Sequence, residues 1–193
     1  KWIPNQVWSD GTVGMIGPSY LGITQLLTAG NIERDAKGEP THLKAIFPLV
    51  PMSDVYKDIV VPGGMIDIEF MLAWLGITDI LALLPPLTAL GDAQSPDMDP
   101  VQEAWDIWKQ HYAALSLQLG WLTNDAAMRT DGDFYDRRSS MLYWPIKPDP
   151  KAANGGWAYP EGGKTFPAGL PVFLTGGWYC IFTRGTCNTY QYG

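Results

Sequence analysis

The sequence predicts an α/β protein in which part of a parallel sheet carries the functional residues and a helical segment is inserted between its strands. Three observations lead to this class. A strand–turn–helix pattern surrounds Ser19, a second apolar strand follows at residues 43–50, and helical periodicity extends from about residue 62 to about residue 143. Because a strand, a helix and a second strand in this order form one unit of a parallel sheet, the amino-terminal part belongs to such a sheet.

The chain divides where its composition changes. The predicted organisation is a sheet core at residues 1–60, a helical insertion at residues 61–145, and a segment at residues 146–193 that begins as a loop and returns to the core. The return to the sheet is placed at the apolar run of residues 171–176. Aromatic side chains recur at helical spacing in the insertion and are expected to form its core. They are Trp105, Trp108 and Tyr112. Direct contact with substrate is the alternative, and some of the aromatic residues of the insertion are expected to face the cleft.

Ser19 lies at the tip of a tight turn between a strand at residues 13–16 and a helix at residues 22–29. Gly17 and Gly22 flank it and remove side chains where the strand and the helix crowd the turn. Such a nucleophile elbow holds a serine at a strained backbone angle, and the first N–H groups of the helix face the reacting oxygen. Ser19 is thus a candidate nucleophile. An ordinary turn is the alternative, since the second glycine stands one place later than in G-x-S-x-G.

The residues around Ser19 carry a wider resemblance. Residues 8–15 and 17–25 closely resemble the nucleophile region of the bacterial cocaine esterase and X-Pro dipeptidyl-peptidase family of α/β-hydrolases, in which a glycine three places after the serine is the normal form. Further matches follow in the same order, at residues 43–46, 53–56, 62–64, Glu69, Trp74, 171–174 and 177–179. The resemblance implies an α/β-hydrolase core, here a partial parallel sheet with its nucleophile elbow, and an inserted helical cap.

The resemblance also assigns roles to individual positions. It implies an oxyanion donor at the backbone N–H of Tyr20 and substrate-pocket side chains at Trp178 and Trp74. The aspartate that orients the catalytic histidine in relatives corresponds to Cys180 here. A neutral thiol performs this task poorly, because a carboxylate fixes the imidazole tautomer, and its removal in serine proteases lowers the rate by roughly 10⁴.

Three other residues of the chain are candidates for the acid or the base. Asp54 follows the second strand and is an alternative acid, although a helix-capping role is the expected one. His42 precedes that strand at the opposite edge of the sheet, and His111 lies on a helix of the insertion. The family's histidine would fall beyond Gly193. We therefore expect the sequence to be the interior of a longer protein and to be inactive alone.

Composition excludes several classes of function. The chain is 46% hydrophobic and 17% charged, which favours a folded protein over a disordered one. A net charge of −7 without basic clusters argues against a nucleic-acid partner, and the most apolar stretch is too interrupted for a membrane span. Cys180 and Cys187 are expected to be free thiols, and no spacing typical of zinc ligands occurs. No metal or other cofactor is expected.

Two functions from different classes remain. The first is a serine hydrolase that acts on a small-molecule ester, an amide or a short peptide through an acyl-enzyme on Ser19. The second is a catalytically silent domain of the same fold that binds a ligand or a partner protein, with Cys180 as the inactivating change. For a peptide substrate, Asp67 and Glu69 are candidates to clamp the amino group, and equally candidates for ordinary surface residues. Cytoplasmic and secreted locations both stay open, as does the oligomeric state.

Overall fold

The sheet core is built from two strands and the helix that connects them. The computed structural model describes residues 2–84, 100–124, 130–144, 147–148, 157–158, 166–167 and 169–193. Strand β1 spans Val13–Pro18, helix α1 spans Tyr20–Asn31, and strand β2 spans Leu43–Leu49. β1 and β2 pair in parallel, with Gly17 opposite Pro48. This crossover from strand through helix to parallel strand is the unit that the sequence predicts.

A third extended segment, residues 171–175, runs parallel to β2 on the side away from β1. It forms bridges that pair Val172 with Ile46 and Thr175 with Leu49. The sequence predicts a return to the sheet at residues 171–176, and these two bridges lie in that run. β2 thus lies between β1 and residues 171–175, and the carboxyl ends of all three segments meet at one edge of the sheet.

Apolar side chains hold α1 against the sheet. Leu26 and Ala29 of α1 are 1% exposed, and they pack with Leu43 and Ile46 of β2 and with Leu170. Burial of a large aliphatic side chain contributes about 1.5–3 kcal/mol. Because these contacts lie along one face of α1, they fix the orientation of its amino terminus, which follows Ser19.

Three elements have boundaries that differ from the predicted ones. The first strand continues two residues beyond Ile16, to Pro18, and α1 begins directly after Ser19. The second strand ends at Leu49, because Val50 has a φ of 43°. A β-branched residue at positive φ is strained and does not continue a strand, so the chain turns sharply there.

The described residues divide into two compact units. One comprises Lys1–Ile66 and Gly132–Gly193, and the other comprises Asp67–Asp131. In the second unit, α2 (Ile68–Leu83) packs against α3 (Pro100–Asn124). α2 begins at a side-chain cap, where a carboxylate oxygen of Asp67 accepts a hydrogen bond from the Phe70 N–H at 3.0 Å.

The aromatic residues of α3 are less buried than the sequence suggests. Trp108 donates a hydrogen bond from Nε1 to the carbonyl oxygen of Leu83 at 2.8 Å, and its ring stacks on Tyr112 with centroids 5.5 Å apart. However, Trp105 is 54% exposed and Tyr112 is 61% exposed. The prediction of a buried aromatic core is therefore wrong for these two residues, because α2 covers only the side of α3 on which Trp108 lies.

The remaining elements are short, apart from α5. They are a 3₁₀ turn at Ile3–Asn5, a π-helical turn at Tyr56–Val60, a 3₁₀ turn at Pro62–Gly64, α4 at Asp133–Asp136, a 3₁₀ turn at Ser140–Tyr143, β3 at Lys147–Pro148, β4 at Trp157–Ala158, and α5 at Thr183–Tyr192. Most of the predicted loop at residues 146–168 lies outside the described residues. Within the described part of the chain, no helix is long and apolar enough to cross a membrane.

Candidate active site

Ser19 has the backbone conformation of a nucleophile elbow. It joins β1 directly to α1 with φ 53° and ψ −121°, a region that non-glycine residues rarely adopt. A residue held there costs of order 1–3 kcal/mol, and persists only when its surroundings determine the conformation. Its side chain is half-buried, and within the described chain its hydroxyl has no hydrogen-bond partner. The hydroxyl is thus available to react.

Two glycines make room for this conformation. A Cβ atom on Gly17 would lie 2.5 Å from Cβ of Leu21, and a Cβ atom on Gly22 would lie 2.9 Å from the carbonyl oxygen of Leu49. Real Cβ atoms do not approach other atoms so closely. The expectation that glycine is required two places before and three places after Ser19 is confirmed by these distances.

Main-chain hydrogen bonds fix Ser19 on both sides. Its N–H donates to the carbonyl oxygen of Leu49 at 2.9 Å, and its own carbonyl oxygen accepts from the N–H groups of Gly22 and Ile23 at 2.8 and 2.9 Å. Tyr20 is the first residue of α1, so its N–H has no acceptor within the helix. This N–H, at the positive end of the helix dipole, is suited to stabilise a developing oxyanion.

Cys180 follows the third segment of the sheet, at the same edge as Ser19. Its N–H donates to the carbonyl oxygen of Gly177 at 3.0 Å, and its sulfur accepts from the Phe182 N–H at 3.4 Å. The Thr183 hydroxyl donates to the carbonyl oxygens of Gly177 and Cys180. The turn that carries position 180 is therefore well ordered by internal hydrogen bonds. Cys180 and Cys187 are both free thiols, as predicted.

His42, which belongs to the same unit as Ser19, lies apart from the elbow. Nδ1 of His42 is 3.0 Å from the carbonyl oxygen of Gly11, and the His42 carbonyl accepts from the Val13 N–H, at the amino-terminal ends of β1 and β2. This is the edge opposite Ser19. His111 belongs to the other unit, where its Nδ1 is 3.0 Å from the carbonyl oxygen of Ala82.

Asp54 is engaged as a cap. One carboxylate oxygen accepts from the Lys57 N–H at 3.0 Å, and the other lies 3.5 Å from Nζ of the same lysine. The residue is 3% exposed. This geometry favours the expected capping role over that of a replacement acid, because both oxygens are already occupied by Lys57.

Asp58, which the sequence analysis did not single out, is the centre of a buried polar cluster. One carboxylate oxygen accepts from the Ser53 N–H and the Asp54 N–H, both at 2.8 Å, and from the Ser53 hydroxyl at 3.1 Å. Its other oxygen is paired with the guanidinium of Arg184 on α5. The cluster ties the turn after β2 to the helix after Cys180. Asp58 and Arg184 are separated by 126 positions in the chain, so no local sequence pattern indicates the cluster.

The predicted pocket tryptophans are accessible. Trp178 is 88% exposed, and Trp74, in the other unit, is 40% exposed and stacks on Phe70. Trp178 lines a groove of about 600 Å³ that also involves Thr183 and Cys187. Ser19 does not line it, so this groove is adjacent to the turn of position 180 rather than centred on the candidate nucleophile.

No group of three or more metal-ligating side chains is assembled among the described residues. The carboxyl edge of the sheet carries the Ser19 hydroxyl, the Cys180 thiol and the Tyr20 N–H, whereas the Asp54 and Asp58 carboxylates after β2 are engaged in the contacts described above. This set suits acyl transfer by a nucleophile and an oxyanion donor.

Comparison with known proteins places these features in context. A family model described as X-Pro dipeptidyl-peptidase (S15 family) matches residues 1–192. The chain is also similar to the cocaine esterase of Rhodococcus sp. (strain MB1 Bresler), with 40% identity over 75 residues. The matched region is 38% of this chain and 12% of the esterase, so the match covers a small part of that relative's length.

Proposed function

Because the chain belongs to the S15 family of X-Pro dipeptidyl-peptidases, we propose that it acts as a serine hydrolase that cleaves ester or amide bonds through an acyl-enzyme on Ser19. The observation that carries this proposal is the backbone of Ser19, with φ 53° between a parallel strand and a helix. Strained conformations of this kind cluster at active sites. The similarity to a cocaine esterase supports a small-molecule ester as one substrate class.

The proposed reaction assigns one role to each group. The Oγ of Ser19 adds to the substrate carbonyl carbon while its proton passes to a general base, and the oxyanion accepts a hydrogen bond from the Tyr20 N–H. The bond to the leaving group then breaks, and the leaving group takes the proton. Water adds to the acyl carbonyl carbon while the base again accepts a proton. The bond between the acyl group and Oγ then breaks and the base returns that proton to Oγ, which releases the acid and restores Ser19.

Among the described residues, no hydrogen bond joins the Ser19 hydroxyl to a general base. His42 lies at the opposite edge of the sheet, where it contacts Gly11. We propose that the base is a histidine supplied by another part of the gene product, as the family resemblance implies. The 193 residues alone would then react slowly.

We propose that the two units of the chain correspond to two parts of an α/β-hydrolase. The parallel sheet of β1, β2 and residues 171–175 corresponds to the nucleophile part of an α/β-hydrolase core, and the unit Asp67–Asp131 to a helical cap. Trp178 and Trp74 are proposed pocket residues. An ester and a short peptide both remain proposed substrates. Asp67 is less suited to clamp a peptide amine than Glu69, because its carboxylate caps α2.

A second function is favoured by one observation. Cys180 corresponds to the family's acid, and a thiol is a poor substitute for the carboxylate that orients and stabilises a histidine base. A domain of this kind would keep the elbow and bind a ligand or a partner protein without turnover.

A fluorophosphonate separates the two functions. It forms an oxygen–phosphorus bond with an activated serine and releases fluoride. The complete gene product and its Ser19→Ala variant would be labelled, weighed intact and mapped by peptide mass spectrometry. One adduct per chain, on Ser19 and absent from the variant, supports the hydrolase. A folded protein that stays unlabelled supports the silent domain. The 193-residue chain, labelled in parallel, is expected to react more slowly than the complete gene product.

A further inference from the structure

Gln25 is a buried side chain that the proposed mechanism does not use. It lies on α1, six positions after Ser19, and is 1% exposed. Its Nε2 donates to the carbonyl oxygen of Leu21 at 2.9 Å and approaches that of Gly17 at 3.4 Å. Its Oε1 accepts from the Phe47 N–H at 3.0 Å. One amide group thereby contacts β1, α1 and β2.

Proline residues remove main-chain N–H donors from both strands near Gln25. Gly17 is opposite Pro48, and the next residue of β1 is Pro18. Proline has no N–H, and it is uncommon in a strand that has neighbours on both sides, as β2 does. The pair of strands therefore has fewer main-chain donors beside the elbow than along the rest of its length. The Gln25 amide supplies both a donor and an acceptor there.

We propose that Gln25 is a positioning residue for Ser19. By holding the Phe47 N–H of β2 and the carbonyl oxygens on either side of Ser19, at Gly17 and Leu21, it keeps the carboxyl ends of the two strands in register. That register sets the distance from the Ser19 N–H to the Leu49 carbonyl oxygen, 2.9 Å. The catalytic consequence rests on the proposed function, whereas the geometry is measurable without catalysis.

The first test is hydrogen exchange of single backbone amides in the complete gene product. Gln25→Met keeps the approximate volume but removes the amide. We expect the Ser19 N–H to exchange about tenfold faster, which corresponds to the loss of about one hydrogen bond. The Val13 N–H, bonded to His42 at the far end of the same strands, serves as an internal reference for global destabilisation. Gln6→Met is the control variant, because the Gln6 amide donates to the Trp2 carbonyl oxygen in the amino-terminal segment.

The second test is rescue by a conservative variant. In Gln25→Glu, a protonated carboxyl group reproduces one donor and one acceptor, whereas a carboxylate faces the carbonyl oxygens of Gly17 and Leu21. We expect the ratio of Ser19 exchange in this variant to that in the unmodified protein to approach one at low pH and to rise as the carboxyl group ionises. Ionisation of a carboxyl group buried at this site would loosen the whole fold even if Gln25 merely filled space, so the discriminating result is a rise at Ser19 that exceeds the rise at Val13.

These outcomes decide the inference separately from the proposed function. Equal acceleration of Ser19 and Val13, acceleration confined to Phe47, or a pH-independent ratio overturns it. If the unmodified protein reacts with the fluorophosphonate, Gln25→Met must also react about tenfold more slowly, and an unchanged rate overturns the inference. If the unmodified protein does not react, the proposed function fails, and the exchange of the Ser19 amide alone decides the role of Gln25.

Discussion

The N–H of Ser19 donates a hydrogen bond to the carbonyl oxygen of Leu49, across the parallel pair of β1 and β2, at 2.9 Å. Directly after β2, the N–H of Val50 donates to the carbonyl oxygen of Thr175 at 2.7 Å. A single peptide group between Leu49 and Val50 thus joins the strand of the candidate nucleophile to the segment that leads to Cys180. Substitutions that move this peptide group should affect both.

Gly22→Ala should displace this peptide group. The new methyl group would lie 2.9 Å from the Leu49 carbonyl oxygen and 3.2 Å from that of Gly17. We expect a loss of about 1–3 kcal/mol in the free energy of unfolding, the usual effect of overpacking. Chemical denaturation monitored by tryptophan fluorescence measures it.

Gly76→Ala is the matched control for that substitution. Gly76 lies within α2, and a methyl group there meets no atom within 4 Å. Alanine is favoured over glycine in a helix by up to about 1 kcal/mol, so this variant should be as stable as the unmodified protein or more so. Similar losses in both variants would contradict the close contact at Gly22.

Cys180→Asp should accelerate the reaction of Ser19 if the family's acid position is intact. A carboxylate there would orient and stabilise a histidine base, with an effect of up to roughly 10⁴ in rate. The measurement is the second-order rate constant for fluorophosphonate labelling of the complete gene product. Ala36→Asp, which places a carboxylate in an exposed turn before the amino-terminal end of β2, should leave the rate unchanged. Equal rates in the two variants would argue that position 180 does not face the base.

Asp58→Ala should destabilise the fold strongly. The substitution removes the acceptor of two buried N–H groups and of the Ser53 hydroxyl, and it leaves Arg184 without its ion-pair partner. A buried N–H group left without an acceptor costs about 1–3 kcal/mol, whereas Arg184, whose side chain is half exposed, can be solvated. The midpoint of urea unfolding should fall accordingly.

Asp106→Ala provides the comparison for Asp58. Asp106 forms an exposed ion pair with Lys109 at 3.1 Å, and such pairs contribute little to stability because solvent screens them. Its urea midpoint should stay near that of the unmodified protein. If Asp58→Ala were equally mild, the cluster after β2 would not hold α5 in place.

Tyr135 should make stability depend on pH in the alkaline range. Burial raises the pKa of its phenol, and the nearby Tyr56 raises it further. The folded state therefore keeps its proton at a pH where the unfolded state, with a pKa near 10, releases it. The stabilisation is complete below about pH 10 and is lost as pH rises through the folded pKa. Urea unfolding at pH 8–11 should show a smaller alkaline loss in Tyr135→Phe than in the unmodified protein.

The elbow was predictable from sequence because its determinants are local. Ser19, Gly17 and Gly22 lie within six consecutive positions, and the geometry they impose depends on short-range steric contacts. The third segment of the sheet was predictable for a similar reason, since an apolar run bounded by turn residues is typical of a buried strand.

The polar contacts around the elbow were not predictable in this way. The bond from Phe47 to Gln25 joins residues 22 positions apart, and its need arises from a pairing of strands that places Pro48 opposite Gly17. The prediction that the aromatic residues of α3 are buried was wrong for Trp105 and Tyr112 for a related reason. Helical spacing indicates which side chains share a face, but not how far a neighbouring helix extends over that face.

The contacts that hold Ser19 have a consequence for how this fold changes over evolutionary time. They are made by main-chain groups, two glycines and Gln25, and among the described residues none of them involves the side chain at position 180. If the acid of relatives stands at position 180, as the proposed function implies, its exchange for cysteine would leave the strained serine at the same place, and we expect little change in melting temperature. Turnover would then be lost or regained in descendants of such a chain without a change in the fold around Ser19.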